Sequence, residues 1–122
     1  MSIYQEIILH EYKNPRHYGQ LSGVVATVTV QNLLFCDKLT FYARVIDGKL
    51  EEITYEGVGC AISIASASLL TDSLIGKTVD DVKKTDTEAV VRLLGVKLSP
   101  NRLKCALLPL EGVQKVIDGK KK

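Results

Sequence analysis

The chain has 122 residues, 46% of them hydrophobic, enough for one compact core and too few for two, so a single domain over residues 1–122 is expected. Its 16 basic and 14 acidic residues leave a formal charge of +2, which offers no one-signed field to draw the protein onto nucleic acid. The start, MSIYQEIILHEYKNPRHYG, lacks a basic region followed by an unbroken apolar stretch, and no run of about eighteen apolar residues occurs; no membrane association is expected, and the cytoplasm is the expected compartment.

Residues 3–12, IYQEIILHEY, put Ile3, Ile7, Ile8 and Tyr12 on one side of a short amphipathic helix, which Pro15 discourages from continuing. VVATVTVQN, residues 24–32, alternates cleanly, with Ala26, Val28 and Val30 facing one way and Thr27, Thr29 and Gln31 the other, as a half-buried strand requires. KLTFYARVI, residues 38–46, repeats the pattern with Leu39, Phe41, Ala43 and Val45. Asp47-Gly48 is then a hairpin turn into KLEEITYEG, residues 49–57.

From Cys60 the period turns helical. CAISIASASLLTDSLIG carries Ile62, Ala65 and Leu69 at helical spacing and closes at Gly76. Ser63, Ser66 and Ser68 read as a small face for close packing, since no motif places a base beside them. Two short helices follow, one capped by Thr78 and one running from Asp86 to Gly95. VKLSPNRLK reads as a loop, and Cys105 is expected immediately before or at the opening of the last helix, with Pro109 either beginning its regular part or kinking it. Strands first and helices after imply an α+β fold: a three-stranded antiparallel meander with helices packed on one face.

Three cysteines, Cys36, Cys60 and Cys105, form an odd set without CxxC spacing, which argues against a disulfide framework. Each could be a small buried hydrophobe. All three are expected at element ends, where a helix N-terminus favours thiolate over thiol, and Asp37 stands beside Cys36. Three thiolates and a carboxylate make four donors, and soft sulfur selects zinc or an iron–sulfur centre over magnesium or calcium. His10 and His17 lie far in sequence from every cysteine and are read as surface or capping residues.

The segments YQEIILHEYKNPRHYG, GVGCAISIASASLLTDSLIGKT and LKCALLP, in this order, closely resemble the IscU/NifU-type scaffold family of iron–sulfur cluster assembly. The resemblance implies an IscU/NifU N-terminal-like fold whose cysteines and aspartate converge at one end. There a [2Fe–2S] cluster is built transiently or Zn²⁺ is held by Cys36, Asp37, Cys60 and Cys105. It implies a non-enzymatic scaffold, with a cysteine desulfurase as sulfur donor and apo iron–sulfur proteins as recipients. Cys60, Cys105 and Asp37 match the family positions directly. The first cysteine does not: the family has Cys-Gly-Asp where this chain reads Phe35-Cys36-Asp37.

A one-residue shift along a strand turns a side chain to the opposite face, so either the loop is bulged and Cys36 still reaches the site, the reading favoured here, or only two family cysteines serve with Asp37. Lys104 before Cys105 is similar to the SufU-like branch, where zinc-dependent sulfur acceptance from a SufS-like desulfurase is the alternative, although the insertion of that branch is absent. Ser99, Asn101 and Arg102 depart from the family's Leu-Pro-Pro-Val-Lys chaperone loop. A third reading is a desulfurase-binding module that has lost cluster assembly.

Overall fold

The computed structural model describes residues 3–23, 25–32 and 37–120. The alternating segments form β1 (Ala26–Asn32), β2 (Asp37–Ile46) and β3 (Lys49–Val58), paired antiparallel in the order β1-β2-β3. The expected meander is therefore present. Val28 lies opposite Phe41 and Phe41 opposite Tyr55, so the apolar positions of the three strands share one face. Asp47 and Gly48 join β2 to β3 with φ of 53° and 74°; positive φ at both central residues follows the right-handed twist of the strands.

The helices are α1 (Ile3–Lys13), α2 (Ala61–Leu74), α3 (Val79–Lys84), α4 (Thr87–Leu94) and α5 (Pro100–Lys120). Helix α5 lies on β1 and β2, α2 packs between α5, α4 and α1, and the core fills the space between these helices and the sheet. Gly112 lets α5 descend onto β2, because a Cβ there would run into the Phe41 ring. Thr78 and Asp86 cap α3 and α4 as the sequence predicts, and Gly95 closes α4 at φ 71°.

Helix α2 is buried on nearly all sides, and its hydroxyls are bonded rather than stranded. Thr71 donates to the Ala67 carbonyl at 2.7 Å, Ser66 to the Ala106 carbonyl at 2.6 Å, and Ser68 to Glu11 at 2.5 Å.

Two expectations are corrected. Helix α1 buries Ile8 and Glu11, while Ile3, Ile7 and Tyr12 stay exposed. A carboxylate has displaced part of the apolar stripe because Arg16 Nε meets Glu11 Oε1 at 3.3 Å and Ser68 supplies a second partner, which together satisfy the buried charge. The last helix opens at Pro100, with Ser99 accepting the Arg102 N–H at 3.3 Å, so Cys105 lies inside α5 and past its first turn. Pro109 is interior to the same helix.

Between α1 and β1 the chain is laced around the sheet. The Arg16 N–H donates to Ser68 on α2 at 2.8 Å; Gly19 N–H then donates to the Tyr55 carbonyl at 2.7 Å, and His17 accepts the Tyr55 N–H at 3.2 Å, at the edge of β3. Gln20 next reaches Glu56 at 3.1 Å and the Ser22 carbonyl accepts from Arg44 at 2.6 Å, on the sheet face opposite the helices. Among the described residues no helix is long and apolar enough to cross a membrane.

Candidate metal centre

The site forms where three elements end or cross. Asp37 opens β2, and the adjoining end of β3 leads through Gly57 and Gly59 to Cys60. Gly57, at φ 138°, lies so close to the Lys38 carbonyl that a Cβ would collide with it, and a Cβ on Gly59 would collide with the Ser63 hydroxyl. Two glycines therefore let the strand turn sharply into α2 beside Asp37.

Cys60 is the N-cap of α2. Its sulfur accepts the Ser63 N–H at 3.4 Å, its carbonyl accepts the Ser63 hydroxyl at 3.1 Å, and its own N–H donates to Asp37 Oδ1 at 2.9 Å. The second Asp37 oxygen, Oδ2, lies 3.9 Å from the Cys60 sulfur. Cys105 enters from α5, and one donor atom each from Asp37, Cys60 and Cys105 lie within 4.8 Å of one another. Asp37 and Cys105 are 1% and 2% exposed, whereas Cys60 is half-buried, so the group opens to solvent on the Cys60 side.

Burial pushes the Cys105 thiol up to about 12, and the neighbouring Cys60 and Asp37 add to the shift by charge and hydrogen bonding. The expected place at a helix N-terminus is thus occupied by Cys60 and not by Cys105, which stands within its helix in a dry setting. Two sulfurs and a carboxylate oxygen crowded this closely are mutually repulsive once ionised; a soft cation relieves that repulsion, so the donor set fits zinc or iron.

Of the four residues expected to form the site, three meet. Cys36 lies outside the described residues, in the link 33–36 that joins the paired ends Asn32 and Asp37. His17 faces away, with Nε2 3.1 Å from Asp72 and Nδ1 3.8 Å from Glu52, and His10 is exposed on α1. Ser63, which the sequence presents as a packing residue, bonds Cys60 through both its N–H and its hydroxyl; its place three after a capping cysteine is the signal for this.

A three-stranded meander under two long helices, with sulfur and carboxylate gathered at the strand-to-helix turn, defines a known class: the chain belongs to the NifU-like N terminal domain family, which it matches over residues 3–121. Among curated relatives it is 30% identical to the iron-sulfur cluster assembly scaffold protein IscU 1 of Archaeoglobus fulgidus, over 115 positions covering 94% of this chain and 74% of the relative. It is also 30% identical to the zinc-dependent sulfurtransferase SufU of Bacillus subtilis, over 134 positions covering 93% of this chain and 88% of that one. The second alignment is longer than this chain, so SufU carries residues absent here; the first needs almost none. A solved structure of the N-terminal part of a nitrogen-fixing NifU-like protein of Brucella abortus superposes with a TM-score of 0.74 at 25% identity, covering 98% of this chain and 94% of that one.

Proposed function

We propose that this protein is an iron–sulfur cluster assembly scaffold that accepts sulfur from a cysteine desulfurase and builds a [2Fe–2S] cluster for transfer to apo proteins. The observation that carries the reading is the meeting of Asp37, Cys60 and Cys105 within 4.8 Å at the half-open end of the fold. Relatives named as scaffolds support it. In this reading Cys60, Cys105 and Asp37 hold the cargo, with Cys36 as the remaining donor supplied from the link beside Asp37.

Cys60 is the thiol of the described pair that an incoming persulfide reaches from solvent. Its sulfur attacks the terminal sulfur of the donor persulfide, the donor S–S bond breaks, and the desulfurase cysteine leaves as thiolate. Cys105 is reached only from within the site. Asp37 is the weak ligand: an oxygen donor on a sulfur-loving centre, already engaged through Oδ1 with the Cys60 N–H, holds cargo loosely enough to release it.

The test is metal and sulfide analysis of protein purified without chelator, together with visible sulfur-to-iron absorption after incubation with a desulfurase, cysteine and ferrous iron. Asp37→Ala is expected to lengthen the life of the cluster; faster loss in that variant counts against the assignment. A second reading, a zinc-dependent sulfur acceptor, is favoured by the SufU relative and by Lys104 next to Cys105. Stoichiometric zinc with sulfur uptake and no cluster would select it. Desulfurase binding with neither metal nor sulfur uptake would leave only an interaction module.

A further inference from the structure

Helix α5 has a weak joint just beyond Cys105. Proline has no N–H, so Pro109 denies the Cys105 carbonyl, four residues earlier, its normal helical partner, and the ring crowds the same carbonyl. The turns from Pro100 to Leu108, which carry Cys105, are therefore less firmly tied to the rest of α5 than an uninterrupted helix would hold them. Across the interface, the Ser66 hydroxyl donates to the carbonyl of Ala106, the residue directly after Cys105, at 2.6 Å. Both residues are buried, at 2% and 0% exposure. Ser66 belongs to α2, the helix whose N-cap is Cys60. One hydroxyl thus links the helix that begins at one sulfur to the backbone beside the other, at the place where proline has loosened the second helix.

We propose that Ser66 is a positioning residue for the thiol pair: its bond to Ala106 sets the register of α5 against α2 and so the separation of the Cys60 and Cys105 sulfurs. The proposal rests on the reading of Cys60 and Cys105 as co-ligands. Its natural control is Ser68, a buried serine of the same helix whose hydroxyl serves Glu11 on the α1 side. Changed to alanine, Ser66 loses its bond to Ala106 and Ser68 loses two, to Glu11 and from the Arg16 N–H, but of the two only Ser66 bonds the α5 backbone beside Cys105.

The experiment compares Ser66→Ala with Ser68→Ala by three measurements: thermal unfolding of the metal-free protein, zinc affinity by chelator competition, and sulfur-to-cobalt absorption after Co²⁺ loading. Ser66→Ala is expected to bind zinc about ten- to hundredfold more weakly, the usual effect of removing a group that orients a ligand, and to alter the cobalt spectrum. Ser68→Ala, which gives up more bonds, is expected to unfold at a temperature lowered at least as far, yet with zinc affinity within about twofold of the parent. Equal losses of affinity in the two variants, or an unchanged affinity in Ser66→Ala, would overturn the proposal.

A metal-free readout separates this from the functional reading. In a Cys36→Ser background, phenylarsine oxide bridges Cys60 and Cys105 by forming two As–S bonds with loss of one water. Ser66→Ala should slow that bridging at least tenfold relative to Ser68→Ala. If neither protein takes up metal yet the bridging rates still differ, the metal reading fails and the positioning stands; equal rates sink the positioning.

Discussion

The two oxygens of Asp37 are differently employed: Oδ1 accepts the Cys60 N–H at 2.9 Å and Oδ2 faces the Cys60 sulfur at 3.9 Å. One oxygen fixes the turn and the other is left for chemistry. Cys105 adds an alkaline component to the pH behaviour of the metal-free protein. Its thiol is pushed from the ordinary 9.0 up to about 12, first by burial and then by Cys60 and Asp37. Above the ordinary value the unfolded chain gives up a proton that the folded chain keeps, so the contribution is intact below pH 9, declines as pH climbs and is lost by about pH 12. Denaturant unfolding of the metal-free protein at a series of alkaline pH values should show that decline. Cys105→Ala should flatten it relative to the parent, and parallel curves for the two proteins would refute the assignment.

At the scale of elements, what the sequence makes legible follows from periodicity. The three strands were readable because a period of two leaves few alternatives when Leu39, Phe41, Ala43 and Val45 fall on one face. Helix α1 was legible as a helix and not as a face, since nothing local announces that Glu11 will be buried by an arginine beyond the turn and a serine from α2. The start of α5 was present in the chain as Ser99-Pro100, a capping serine followed by a proline whose missing N–H costs nothing in the first turn. It was masked by likeness to a family loop. The convergence of Asp37 with Cys60 and Cys105 could not be read from spacing, because it depends on how α5 crosses the sheet, and it came from resemblance.

Gly112 is where that crossing can be tested. Alanine there gains about 1 kcal/mol of helix propensity but forces its methyl into the Phe41 ring, and overpacking of a tight core costs about 1–3 kcal/mol. The clash should win: Gly112→Ala is expected to lower stability by up to about 2 kcal/mol in chemical denaturation, and adding Phe41→Leu should recover part of the loss. A stabilised single variant would mean that α5 does not rest on Phe41.

On the scale of the whole molecule, the segment from Arg16 to Ser22 joins parts that the sequence order keeps apart. It is fastened to α2 through Ser68, to β3 through Tyr55 and Gly57, and to the outer sheet through Glu56 and Arg44. Most of these bonds lie at the surface; those to Tyr55, Gly57, Glu56 and Arg44 wait for β2 and β3, and the one to Ser68 waits for α2. A belt of this kind closes last and opens first. Native-state hydrogen exchange should therefore find the Gly19 amide exchanging by a smaller opening than the paired amides of β2, with α1 released in the same event. If the belt amides instead required global unfolding to exchange, α1 would be part of the earliest stable structure. The lacing also has a consequence for manufacture on the ribosome. Helix α1 leaves the ribosome before α2, the helix it packs against, so Ile8 and Glu11, buried in the finished fold, must wait in solvent until α2 has followed.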